Sequence, residues 1–130
     1  MGNTGNKVLS TEIVTRYIFN EKHFAATKKR VKYPAFMPRN GETSVFRIIN
    51  LSSKKIWDIG KYVGSLGNRM LQARGDIAAN DVFALELDIE PDTQKHPLHA
   101  NIIGWPAFKG KIKLVAIKLA DKAQLHLTPS

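Results

Sequence analysis

At 130 residues and without a single cysteine, the chain has the length of one domain and must hold its core without disulfides or thiolate metal sites. Its 43% apolar fraction excludes wholesale disorder, and no apolar run approaches the roughly 20 residues of a membrane-spanning helix. The formal charge of +9 is uneven: residues 1–75 carry 14 Lys and Arg against 4 Asp and Glu, residues 76–130 carry 6 against 7, and such asymmetry points to a polyanionic partner, most often nucleic acid.

Residues 1–10 are rich in Gly, Asn and Thr and are expected to be flexible, with residues 11–130 forming one domain. The N-terminus lacks the apolar centre of a signal peptide, so a cytoplasmic protein is expected. Glu12–Phe19 reads as a strand with Ile13, Thr15, Tyr17 and Phe19 on one face and Val14, Arg16 and Ile18 on the other. Asn20–Arg39, basic and broken by Pro34 and Pro38, reads as a long connection. Asn40-Gly41 is a turn signal, and Thr43–Ile49 is the next strand. Ser53–Leu66 has helical spacing of Ile56, Ile59, Gly60, Val63 and Leu66, with Ser52 or Ser53 as cap and Gly64 and Gly67 favouring its end.

Arg69–Ile77 is a third strand in which Gly75 marks a bulge or an end. Val82–Ile89 alternates as a strand does, with Phe83, Leu85, Leu87 and Ile89 on one face. The reading preferred over it makes Ala78–Ala84 one or two helical turns before a strand from Leu85, and Glu90-Pro91-Asp92 is read as a turn. Leu98–Ile103 is a strand ended by Gly104 and Pro106. Lys111–Gln124 is the last helix, with Ile112, Val115, Ala116, Leu119 and Ala123 as its apolar stripe, and the chain after it is expected to fray. These elements predict an α+β domain with four to five strands in a mainly antiparallel sheet and two main helices packed on it. Ile18, Phe46, Ile59, Val63, Leu85, Ile102, Val115 and Leu119 are its expected core.

Three groups of residues carry possible chemistry. Lys28, Lys29, Arg30 and Lys32 form a cationic run among the aromatics Phe24, Tyr33 and Phe36, a pattern suited to phosphates and stacked bases, although such aromatics more often anchor a loop. Arg16, Arg47 and Arg74 each lie inside an expected strand. A cation among apolar neighbours needs a partner, either a bound phosphate or an internal acid such as Glu12, Glu86 or Asp88. His96 and His99 flank Pro97 near Trp105; with Arg47 they are the candidate acid, base and cation of a catalytic site, and Trp105 is a candidate base-stacking surface. No metal-ligand spacing or cofactor fingerprint is present, so neither a metal nor a cofactor is expected.

The expectation is a small nucleic-acid-binding protein, for RNA or single strands more than duplex DNA and without membrane attachment. Its phosphate contacts would be Arg16, Lys28, Lys29, Arg30, Lys32, Arg47 and Arg74, with Trp105 stacking on a base or sugar. One alternative is a metal-independent phosphodiesterase or ribonuclease using His99 with strand arginines. The other is an interaction or defence-system accessory module that meets an acidic protein.

Overall fold

Ile13–Ile18, where β-branched and aromatic residues cluster, forms the first strand, β1, and lies inside the sheet with both faces covered. A computed structural model describes residues 5–129. A hairpin follows, β2 (Phe24–Ala25) and β3 (Arg30–Val31), then a 3₁₀ turn, Tyr33–Phe36. Next come β4 (Thr43–Arg47), helix α1 (Ser53–Leu66), β5 (Ala73–Ala78), α2 (Ala79–Phe83) and β6 (Asp88–Pro91). The chain ends with β7 (His99–Ile103), α3 (Lys109–Lys122) and β8 (Gln124–Leu127). The result is one α+β domain.

Among the described residues the main sheet has six strands in the order β6-β7-β4-β1-β5-β8, and every pair is antiparallel. This corrects the expected four or five. The added strand is β8, a polar edge segment where fraying was expected; it pairs Leu127 with Ala73 and His126 with Arg74. Glu90 and Pro91 are also not a turn but the end of β6, which lies at the other edge, where a proline's missing N–H costs no ladder bond on the open side. The long connection is not wholly irregular, since it contains the β2–β3 hairpin.

Period-two alternation divides the core. Val14, Ile18, Val45, Ala73, Ile77, Ile89 and Ile102 face α2, α3 and the Tyr33–Phe36 turn. Tyr17, Phe46 and Ile48 face α1 through Ile56, Trp57 and Ile59. Of the expected core, Ile18, Phe46, Ile59, Ile102 and Leu119 are buried, while Val63, Leu85 and Val115 are half-buried against it. Leu66 is exposed at the end of α1. Residues 1–4 of the N-terminal segment lie outside the described residues; within it, Val8 is 1% exposed and belongs to the core.

Local signals explain several boundaries. Ser52 caps α1 by accepting the Lys55 N–H at 3.1 Å. Asn40 and Gly41 have φ of 54° and 77°, the left-handed pair that a tight hairpin turn requires, and Arg39 and Glu42 bridge across them. Gly75 neither bulges nor ends β5. It sits mid-strand opposite Arg16 and Leu125, and a Cβ there would come 3.0 Å from the Val31 side chain. The missing side chain lets the hairpin close onto the sheet.

Candidate functional site

The uncovered part of the α1 face lies where that helix stops at Leu66. Over β4 and β7 it leaves a cavity of about 310 Å³ between the end of α1 and the loop before β7. Register brings polar residues there. Ser44 pairs with Asn101 and Phe46 with His99, so Ser44, His99 and Asn101 share this face. His99 Nε2 is 2.6 Å from Ser44 Oγ, and His99 Nδ1 is 2.9 Å from the Asp92 carbonyl oxygen. A carbonyl only accepts, so Nδ1 carries the proton. Nε2 of the neutral ring then accepts from the Ser44 hydroxyl, the tautomer that a general base needs beside a serine. The Asp92 carboxylate lies 3.7 Å from Nδ1 and accepts from the Asn101 amide at 3.2 Å. The His99 side chain is 17% exposed and Asp92 48%, so the array reaches the surface from its acidic end.

His96 lines the same cavity, edge-on to the Phe46 ring. Its Nδ1 accepts the Leu98 N–H at 3.0 Å, so the neutral ring carries its proton on Nε2 as a donor. Burial, with smaller contributions from His99 and Lys55, pushes its pKa below the usual histidine value. Sequence reasoning selected His96 and His99 but missed Ser44, Asp92 and Asn101. The alternation of β4 against β7 would have shown Ser44 only once that pairing was known.

The strand arginines do not join this site. Arg47 neighbours Phe46 in β4 and points to the opposite face, where it binds Glu12 through Nε at 2.8 Å and Nη2 at 2.7 Å. The two side chains are 4% and 7% exposed, so the expected alternative of an internal acid applies here. Arg16 also faces the α3 side and donates to the Ala35 carbonyl at 2.7 Å and the Ser44 carbonyl at 2.9 Å. Burial, then the charges of Arg69 and Arg39, lowers its pKa to about 10. Arg74 shares the His99 face but lies three strands away, about 14 Å at ordinary strand spacing. Its guanidinium stacks 4.5 Å above the Trp57 ring and binds Asp76 at 3.0 Å; Asp76 in turn lies 3.3 Å from His126. Trp105 is half-buried against the core and spends its indole N–H on the Ile102 carbonyl.

The basic run is assembled differently. Lys28, Lys29, Arg30 and Lys32 are all exposed on and beside the β2–β3 hairpin, which packs along α3. Arg30 reaches Asp121 of α3 at 3.5 Å, and Lys113 of α3 lies 5.1 Å above the Tyr33 ring. A groove of about 520 Å³ runs between hairpin and helix. α3 adds exposed Lys109, Lys111, Lys113, Lys118 and Lys122. Residues 24–36 contain no carboxylate and α3 contains one, so together they carry nine exposed cations and a single acid, Asp121, which pairs with Arg30. Five of the nine come from the half of the chain whose overall charge is slightly negative, which is why the charge count missed them. Phe108, 70% exposed at the start of α3 with Lys111 beside its ring, is the available aromatic surface that Trp105 is not.

Among the described residues no three His, Asp or Glu side chains are grouped as metal ligands, and no helix is long and apolar enough to cross a membrane. Comparisons with protein-family models, curated proteins and solved structures give no match, so the functional reading rests on the residues and their geometry.

Proposed function

We propose that this is a nucleic-acid-binding protein that holds single strands, RNA before duplex DNA, on the surface formed by the β2–β3 hairpin and α3. The observation that carries the reading is that two packed elements, the hairpin segment and α3, carry nine exposed cations against one carboxylate. Arg16, Arg47 and Arg74 are engaged by internal partners on the sheet, so the surface moves from the strand arginines to the hairpin and helix. Eight of the nine cations are lysines. Lysine contacts phosphate as a point charge without the bidentate geometry that reads base edges, so binding is expected to depend on salt and to tolerate sequence. Phe108 offers an aromatic face to unpaired bases, which a duplex keeps stacked internally.

The test is fluorescence anisotropy with a single-stranded RNA and a duplex DNA of equal length over a salt series. Replacing Lys28, Lys29, Arg30 and Lys32 by Gln is expected to weaken binding to every sequence. It should also flatten the log–log salt slope by about 3, at roughly 0.7 per lost single-strand contact. Phe108→Ala is expected to cost roughly 1–3 kcal/mol on single strands and little on duplex. Unchanged affinity and slope in the fourfold variant would remove the hairpin from the surface. Retained binding to polyglutamate with no binding to any polynucleotide would assign the face to an acidic protein instead.

A further inference from the structure

The Ser44–His99–Asp92 array lies on the α1 face and is independent of the basic surface. We infer that it is a nucleophilic site in which Ser44 attacks small carboxylic esters with an apolar acyl group. Three separate observations meet there. Ser44 Oγ and His99 Nε2 are 2.6 Å apart, within the range of a nucleophile and its base. The Asp92 carbonyl fixes the required tautomer by accepting from Nδ1, and the Asp92 carboxylate 3.7 Å away stabilises a positive ring. A cavity of about 310 Å³ opens beside them, at the small end of ligand sites. Its apolar wall is Phe46, Tyr62, Val63 and Leu66; Glu42, Lys95 and His96 are its other titratable side chains besides Tyr62.

The geometry writes a balanced acyl transfer. Ser44 Oγ bonds to the ester carbonyl carbon while its proton passes to His99 Nε2. The His96 Nε2–H is one neutral donor lining the cavity, and it is assigned to the developing oxyanion. The tetrahedral adduct collapses, the ester C–O bond breaks, and the alkoxide takes the proton from His99 and leaves as an alcohol. Water then attacks the acyl-serine, giving one proton to His99. The carboxylic acid leaves, and that proton returns to Ser44 Oγ. No metal or redox partner is needed. The reaction differs from phosphodiester cleavage, for which Arg16 and Arg47 on the opposite sheet face supply no cation here.

The full chain has no cysteine, so Ser44→Cys introduces a single thiol and permits a test without a substrate. A thiol paired with His99 has a depressed pKa, whereas an ordinary one titrates near about 8.5. Iodoacetamide is expected to alkylate Ser44→Cys at pH 6 about tenfold or more faster than Ser44→Cys with His99→Gln. In parallel, the natural chain is incubated with a fluorophosphonate and mapped by peptide mass spectrometry. The adduct is expected on Ser44, lost in Ser44→Ala, and reduced roughly 10²–10⁴-fold in rate in His99→Gln. Circular dichroism verifies that each variant is folded. The fourfold hairpin variant keeps the adduct, which separates this site from nucleic-acid binding. Folded protein with no adduct on Ser44, or an alkylation rate unmoved by His99→Gln, overturns the inference.

Discussion

Arg47→Met tests whether the most buried cation holds the fold together or waits for a phosphate. Arg47 gives Glu12 two charge-assisted hydrogen bonds and donates through Nη1 to the Asn6 carbonyl at 2.7 Å, while Glu12 also accepts the Leu9 N–H at 2.8 Å. The pair thus ties β1, the end of β4 and the preceding segment together. Arg47→Met leaves a buried carboxylate without its cation, which costs about 3–5 kcal/mol. Glu12→Met together with Arg47→Met removes both charges and is expected to recover about 2 kcal/mol or more of that loss.

The pH dependence carries a sign. Burial pushes the Glu12 carboxyl up, but the Arg47 and Leu9 hydrogen bonds and the Arg47 charge more than reverse it, so its pKa is lowered. Its stabilisation is therefore present above the unfolded value near about 4.3 and lost as pH falls through the folded value. In Arg47→Met only burial and the Leu9 bond remain to set it, so the pKa rises and stability should increase as pH falls through the new value. Urea unfolding between pH 7.5 and 3, followed by the fluorescence of buried Trp57, reads both effects. A cost under about 1 kcal/mol, or a double variant no better than Arg47→Met, refutes the structural role. Arg47→Met is also expected to leave RNA affinity unchanged at pH 7, because Arg47 lies away from the hairpin–α3 surface.

Two further outcomes follow from packing and burial. Gly60→Ala adds helix propensity, but its Cβ would lie 2.6 Å from a Tyr17 ring carbon and 2.8 Å from Leu71, so a net loss of about 1–2 kcal/mol is expected in urea unfolding; a raised midpoint would refute this close helix–sheet approach. Burial, aided by Arg16 at His23 and by His99 and Lys55 at His96, lowers both pKa values, so their stabilising contribution is present above about 6.5 and lost as pH falls toward the folded values. His23→Gln with His96→Asn should make the urea midpoint less sensitive to pH between 7.5 and 5, and an equally steep fall would remove these histidines as its cause.

Local physics made much of the fold legible in the sequence. The apolar spacing and cap of Ser53–Leu66 predict α1 to the residue, because helix periodicity and capping are properties of neighbours along one chain. Alternation in β1 correctly separates Tyr17 from Val14 and Ile18, and Asn40-Gly41 correctly marks its turn. β8 was not legible, since a short polar edge strand derives its order from pairing with β5 rather than from its own pattern. Likewise, the basic residues of the hairpin were visible, but their union with α3 depends on the fold. Composition could nominate Arg16, Arg47, Arg74, His96 and His99. Only strand order and register could send Arg47 to Glu12, place Arg74 over Trp57 and bring Ser44 to His99, because contacts between residues distant in sequence are chosen by the sheet as a whole.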